Sequence, residues 1–393
     1  MTRIKLGRRQ FTIAAGAGAA SLAMPALAPS AFAQGEPIKV GAIFPLSGPA
    51  GPNGQAVVSA IKIAAEMINA KGGVLGRKIV VIAKDDESTP AVGVTRANEM
   101  VAEKVAVVIE GWNSPVTLAE QPVLARANIL DITAVSKADP ILSGQGNPYA
   151  IRINSSNGQD GSIIADILIN KLNAKRIGFL SQNDAYGNGA QAVIEAELAK
   201  LGKPWEKVVV EQFPFKQTDF RVSLANVKQA KPDAVVAINA AESSGMPALI
   251  QQYRQAGIDG TFVGAVGTIL PTVFKIAGAD MTGVVSADIY FPDPPPFDKI
   301  KENLEFVEAY KKEHKEAPDK GSAMGATALE VWASAANATK SLDRKTVAEA
   351  IRGKTVGGTI LGDLAFEANG QAKHKATIFK VTDGKTAKIE VLK

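Results

Sequence analysis

The residues with which this 393-residue chain could do chemistry are few. It has no cysteine, so disulfides, thiolate zinc sites and thiol nucleophiles are excluded. Its two histidines stand apart. His314 lies in "YKKEHKEAPDK", read as a solvated helix end, and His374 in "QAKHKAT", read as a turn between strands. Neither pattern builds a His-based metal site or triad. Asp85-Asp86-Glu87 could hold a cation, although a solvated strand end with a helix-capping role is the plainer reading. The stretch "AIFPLSGPAGPNGQ" (42–55) runs from an apolar strand-like segment into a helix-like one that starts near Gln55. It lacks the Gly-Lys-Ser/Thr ending whose lysine must reach a phosphate. Gly384-Lys385-Thr386 has that ending, but Phe379 stands where the first glycine belongs. Gly187, Gly189 and Ala192 trace a loose G-x-G-x-x-A, but "QNDAY" separates them from the strand, so they form no first tight turn. No acid, base and nucleophile converge. The expectation is binding without catalysis and without a cofactor.

What remains is a set of polar turns between strands and helices: 47–54, 113–117, 183–189 and 242–245. Helix N-termini there offer free N–H groups and a partial positive charge. In open α/β sheets, ligands bind outside the carboxyl ends of the strands. Two such sheets facing each other could enclose a small anion.

The elements that must position these turns alternate. Ile38–Phe44 and 78–83 read as strands, and 55–69 carries Val57, Ile61, Ala64, Ala65 and Ile68 at helical spacing. Helix (91–103), strand (105–109), helix (117–127) and strand (129–134) follow, and the pattern restarts at 149–153. Such βαβα order predicts mostly parallel sheets covered by helices on both faces. "FPDPPPFD" (291–298) reads as a stiff linker, and the tail from Thr359 as short strands.

The length fits two domains. Hydrophobic residues make up 46% and charged residues 21%, ordinary for a globular protein. The net charge of +5 comes largely from residues 1–33, which carry Arg3, Lys5, Arg8 and Arg9 and no acid. Without them 40 basic residues face 39 acidic ones, a balance of +1. No basic cluster points to a nucleic-acid partner. Arg8-Arg9-Gln10-Phe11 resembles a twin-arginine export signal, and Ala31-Phe32-Ala33 before Gln34 has a signal-peptidase pattern. The expectation is a signal peptide over 1–33, cleaved after Ala33, and a periplasmic mature protein.

Four stretches carry a resemblance: "IKVGAIFPLSGPAGPNGQ", "AAEMINAKGGVLGRKIVVIAKDDESTPAVGVTRANEMV", "NDAYGNGA" and "TDFRVSLANVKQAKPDAVV". Together they resemble the leucine/isoleucine/valine-binding family, periplasmic solute-binding proteins of ABC importers, along nearly all of the chain after Pro37. The resemblance implies two Rossmann-like α/β lobes joined by a three-strand hinge. Lobe I is expected at 34–152 plus 289–355, and lobe II at 153–288 plus 356–393. It also implies a small-molecule ligand, closure of the lobes on it, ABC permease subunits as partners, and a monomer.

The family's ligand residues carry over unevenly. Its carboxylate-binding serine matches Ser114 in "GWNSPVT", and the neighbouring loop falls on Val135 and Ser136. Its second-lobe tyrosine matches Tyr186. A first-loop aromatic position holds Asn53, and a second-lobe aromatic falls near Glu242 and Ser243. The acid that pairs with a substrate ammonium falls near Val266. Trp112 offers a flat wall to an apolar or aromatic ligand, and Lys137, read as solvated, could supply a cation. The plain alternatives are that Ser114 caps its helix, Tyr186 packs the hinge, Trp112 is a packed rim residue and Glu242 is solvated. The expected cargo is an amino acid or a related small carboxylate or amide. Amine-free aromatic or aliphatic carboxylates stand as the alternative, as does a sensor for a membrane receptor.

Overall fold

The computed structural model describes residues 35–143 and 149–392. The expected signal peptide, its twin-arginine motif and its cleavage site lie outside the described residues.

Five strands form an all-parallel sheet: β1 (Ile38–Phe44), β2 (Ile79–Asp85), β3 (Val107–Glu110), β4 (Leu130–Thr133) and β5 (Ala150–Arg152). Their order is β2-β1-β3-β4-β5. A larger sheet takes β6 (Arg176–Gln182), β7 (Glu206–Phe213), β8 (Ala234–Ile238), β9 (Thr261–Gly264) and β10 (Val285–Asp288), all parallel. Between β10 and the tail, β11 (Thr355–Thr359) and β12 (Gly362–Ala365) make a separate antiparallel hairpin that packs on helix Lys320–Thr339. The tail strand β13 (Thr377–Asp383) then adds antiparallel to β10, and β14 (Lys388–Val391) adds antiparallel to β13. The larger sheet reads β7-β6-β8-β9-β10-β13-β14. The central strands are apolar almost without interruption, as strands buried on both faces must be. The α/β class with mostly parallel sheets is therefore as the alternation predicts.

Strand order reverses between β1 and β3 in the first sheet and between β6 and β8 in the second. At such a point neighbouring loops leave in opposite directions and open a crevice at the carboxyl ends. The polar turns follow these strands.

Two helices start three or more residues before the point read from sequence. The helix expected from Gln55 runs Gly51–Ala70. Pro52 is tolerated in its first turn because that N–H has no partner in a helix anyway. Gly54 serves close approach rather than a turn: a Cβ there would lie 1.8 Å from the Pro45 carbonyl oxygen. The helix after β3 starts at Ser114, not 117. The helix after β5 starts at Asn157, where Ser156 and Gln159 form a reciprocal capping box.

Helix Lys320–Thr339 packs along helix Gly51–Ala70. A Cβ on Gly325 would lie 2.5 Å from Val57 Cγ1, so the missing side chain sets the interhelix distance. Among the described residues no helix is long and apolar enough to cross a membrane.

Candidate functional site

A cavity of about 20 Å3 lies where the carboxyl ends of the two sheets face each other. That is room for about one water. A larger molecule enters only if the facing loops move apart.

From the first sheet, the loop after β3 presents Trp112, Asn113 and Ser114. Ser114 does not cap its own helix. Its Oγ accepts from the Lys137 and Ala138 backbone N–H groups at 3.2 Å each, which leaves its proton free to donate into the cavity. Val135 also forms wall, and its carbonyl takes the Asn154 amide at 2.6 Å. Ser136 turns away. Its hydroxyl meets Thr117 Oγ1 at 2.9 Å, and Thr117 donates to the buried Glu110 carboxylate at 2.6 Å. Asn53 is buried in the first turn of its helix and is not in the wall.

Lys137, read as solvated, is instead only 5% exposed and lines the cavity. Its ammonium donates to Asp160 Oδ2 at 2.5 Å and to the Val266 carbonyl at 2.7 Å. Burial pulls its pKa down, against the opposing charge of Asp160. The buried carboxylate on the next helix, invisible in the local sequence, is what allows a lysine there.

From the second sheet, Gln182 and Tyr186 stand either side of the turn after β6. Asp184 caps that helix, its Oδ1 accepting from Tyr186 N at 2.9 Å and Gly187 N at 3.0 Å. Burial pushes the Tyr186 phenol well above its ordinary pKa, so it stays a neutral donor. Gln182 Oε1 accepts from Ala240 N at 3.1 Å and ties this turn to the loop after β8. Glu242, on that loop, is 5% exposed rather than solvated, and its Oε2 has no partner among the described residues. Burial pushes its carboxyl up to about 7, against the pull of Lys320. Ser243 points elsewhere: its hydroxyl donates to the Pro49 carbonyl at 2.7 Å. Val266 is buried core and contributes only its carbonyl.

Trp112 joins the two halves. Its Nε1 donates to the Ala240 carbonyl at 3.2 Å, and its ring lies against Gly321, where a Cβ would sit 2.9 Å from the indole. Six residues singled out from sequence therefore meet in one wall: Trp112, Ser114, Val135, Lys137, Tyr186 and Glu242. Asn53, Ser136, Ser243 and Val266 do not.

Sequence reasoning missed Gln182, Thr268 and Lys320. Lys320 had a local signal. It is the first residue of a helix capped by Asp319, where a cation opposes the helix dipole. The two histidines are also less bland than expected. His314 stacks on Tyr310 and meets Ser59 Oγ at 2.7 Å. His374 bonds the Ile153 carbonyl at 2.5 Å, and burial pulls its pKa down to about 4. Asp86, read as solvated, is buried and held at about 7 by desolvation. Among the described residues no group of three or more His, Cys, Asp or Glu is placed to hold a metal ion.

The arrangement has donors from one sheet, donors and a carboxylate from the other, and an indole wall between them. A family model described as periplasmic binding protein matches residues 37–386. The Leu/Ile/Val-binding protein homolog 1 of Brucella abortus is 28% identical over 356 residues, covering 91% of this chain and 92% of that protein. A leucine-binding protein from Thermotoga maritima superposes with a TM-score of 0.80 at 23% identity, covering 91% of this chain and 98% of the other. An R. palustris ABC-transporter solute-binding protein in complex with benzoate superposes at 0.81 and 24% identity, covering 91% and 95%. The structural likenesses bear on the fold. The family match spans nearly all of the described chain, and with it the chain belongs to the periplasmic binding protein family, as its resemblance to the leucine/isoleucine/valine-binding proteins implies.

Proposed function

We propose that this protein is the periplasmic solute-binding component of an ABC importer, taking up an amino acid or a related small carboxylate and delivering it to membrane permease subunits. The observation that carries the reading is the meeting of Ser114, Tyr186 and Glu242 from three different strand ends of two sheets. The Ser114 proton faces a ligand carboxylate, the Tyr186 phenol donates from the opposite side, and Glu242 accepts from an amine. Glu242 thereby takes the role that Val266 cannot fill.

In this reading the lobes are 34–152 plus 289–355 and 153–288 plus 356–393, except that the β11–β12 hairpin, packed on helix Lys320–Thr339, stays with the first lobe and moves the last crossover past Ala365. A rotation about their three crossovers opens and closes the cavity. The bonds Trp112–Ala240, Ser243–Pro49 and Lys137–Val266 then join the lobes only when they are closed. Export by the twin-arginine route, cleavage after Ala33, action as a monomer, no nucleic-acid partner and binding without turnover complete the proposal.

A second reading has its own support. With Val266 apolar and Glu242 neutral below about pH 7, the cavity also suits a carboxylate that lacks an amine. The benzoate complex of a fold neighbour is compatible with it.

The test is a thermal-shift screen, checked by calorimetry, on protein unfolded and refolded to strip carried-over solute. A ligand that binds only the folded state raises the melting temperature. Amino acids are paired with their deaminated acids, amides and aromatic carboxylates. Micromolar binding of an α-amino acid supports the first reading. Binding of the deaminated partners alone replaces it with the second.

A further inference from the structure

Lys137 and Lys320 both line the cavity, and both are 5% exposed. Lys137 is satisfied by Asp160 and by the Val266 carbonyl. The Lys320 ammonium has no hydrogen-bond or ion-pair partner among the described residues. Glu242 and Asp288 feel its charge, yet neither is paired with it, and Glu242 Oε2 is itself without a partner.

Lys320 starts a helix packed on the first sheet and reaches the turn after β9 of the second. A Cβ on Gly267 would lie 2.5 Å from its Nζ, so a side chain there would push the ammonium out of its present place. Gly267 has φ +70°, a second reason for glycine at this place. Ser114 enters from another wall, tied to the 137–138 backbone.

A buried ammonium without an acceptor is costly, and the cost is relieved by an anion that brings its own acceptors. We infer that Lys320 forms a second anion subsite, distinct from the one at Ser114, and that the preferred solute is a small dicarboxylate. This rests on the solute-binding reading above. Within it, Ser114 and nearby N–H groups hold one carboxylate, and Lys320 holds the other and helps draw the two sheets together. Glu242, beside Lys320, accepts from a hydroxyl or amine between the two ends.

The experiment uses matched probes that differ in one carboxylate: glutarate against pentanoate, and phthalate against benzoate. Calorimetry is run on the refolded protein and on K320M and K320R. The expected result is at least tenfold tighter binding of the dicarboxylate in one or both pairs. K320M is expected to collapse that ratio to within about threefold, with K320R restoring part of it, because each tenfold is one well-made charged contact. Three outcomes overturn the inference while leaving solute binding intact. The wild type binds the monocarboxylates as tightly as the dicarboxylates. K320M weakens both members of a pair equally, which means Lys320 serves a single carboxylate. An amino acid binds the wild type while neither dicarboxylate does. If no carboxylate or amino acid of any kind shifts the wild-type protein, the solute-binding reading itself fails. The wild-type ratio stands as a test even where a variant does not fold.

Discussion

Lys137 carries its ammonium from the loop after β4 to the carbonyl oxygen of Val266, 2.7 Å away on the loop after β9. In the resembling family that second loop carries the acid for a ligand ammonium. Here the chain presents a carbonyl, and its own lysine already occupies it. Asp160 completes the arrangement at 2.5 Å. Breaking a buried ion pair by removing one partner costs about 3–5 kcal/mol, because the other charge stays buried and unpaired. Asp160→Asn and Lys137→Met are each expected to lower unfolding stability by that order in urea melts of the closed protein, run with saturating solute. The double variant is expected to lose clearly less than the sum. Full additivity would mean that the pair is not formed in solution.

Glu242 links stability to pH. Its carboxyl lies near 4.5 when exposed and at about 7 in the fold, with burial as the first cause. A raised acid pKa means that the folded state binds the extra proton. The contribution is fully present below about pH 4.5 and is lost as pH rises through about 7. The shift corresponds to about 3 kcal/mol. Glu242→Gln removes this dependence, so its stability relative to wild type is expected to be higher at pH 8 than at pH 5 by that order. Asp86, which is raised in the same direction, remains in both proteins and cancels in the comparison. Binding of an amine-bearing ligand should strengthen as pH rises through about 7, and this rise should vanish in Glu242→Gln. A flat wild-type profile would separate Glu242 from the ligand.

Much of the fold was legible because parallel strands buried on both faces read as apolar runs, and the helices between them keep their period. The boundaries that failed were set by contacts outside the local window. Gly54 reads as a turn residue until the Pro45 carbonyl is placed against it. Site residues that sit on strand-end turns, such as Ser114 and Tyr186, were visible through those turns and the resemblance. Lys137 and Glu242 read as solvated from their sequence neighbours, yet the fold leaves each only 5% exposed. Lys320 lies more than 50 residues beyond Val266, so its place in the wall depends on how the chain returns to the first sheet.

Gly325 tests the helix pair behind the site. A Cβ there would come within 2.5 Å of Val57 Cγ1 and 3.3 Å of Ile61 Cγ1. Helix propensity alone would favour Gly325→Ala by about 1 kcal/mol. Overpacking is expected to reverse the sign and cost about 1–3 kcal/mol, with Gly325→Val costing more. Chemical melts of both variants check it. A stabilised Gly325→Ala would mean that the helices separate easily.

Trp112 and Ser243 test closure. The indole Nε1 donates to the Ala240 carbonyl at 3.2 Å, and the Ser243 hydroxyl donates to the Pro49 carbonyl at 2.7 Å. Each bond connects a loop of one sheet to a loop of the other, so each contributes to the closed form and not to either half alone. A net hydrogen bond is worth about 0.5–1.5 kcal/mol. Trp112→Phe keeps most of the ring surface against Gly321 but deletes the donor, and Ser243→Ala deletes the other. Each is expected to weaken ligand binding by about two- to tenfold, chiefly through faster release, while leaving the melting temperature of ligand-free protein nearly unchanged. The two effects should add, because the bonds share no partner. Stopped-flow release rates for wild type, both single variants and the double variant measure this. An unaltered release rate in the double variant would show that these bonds do not hold the loaded cleft shut.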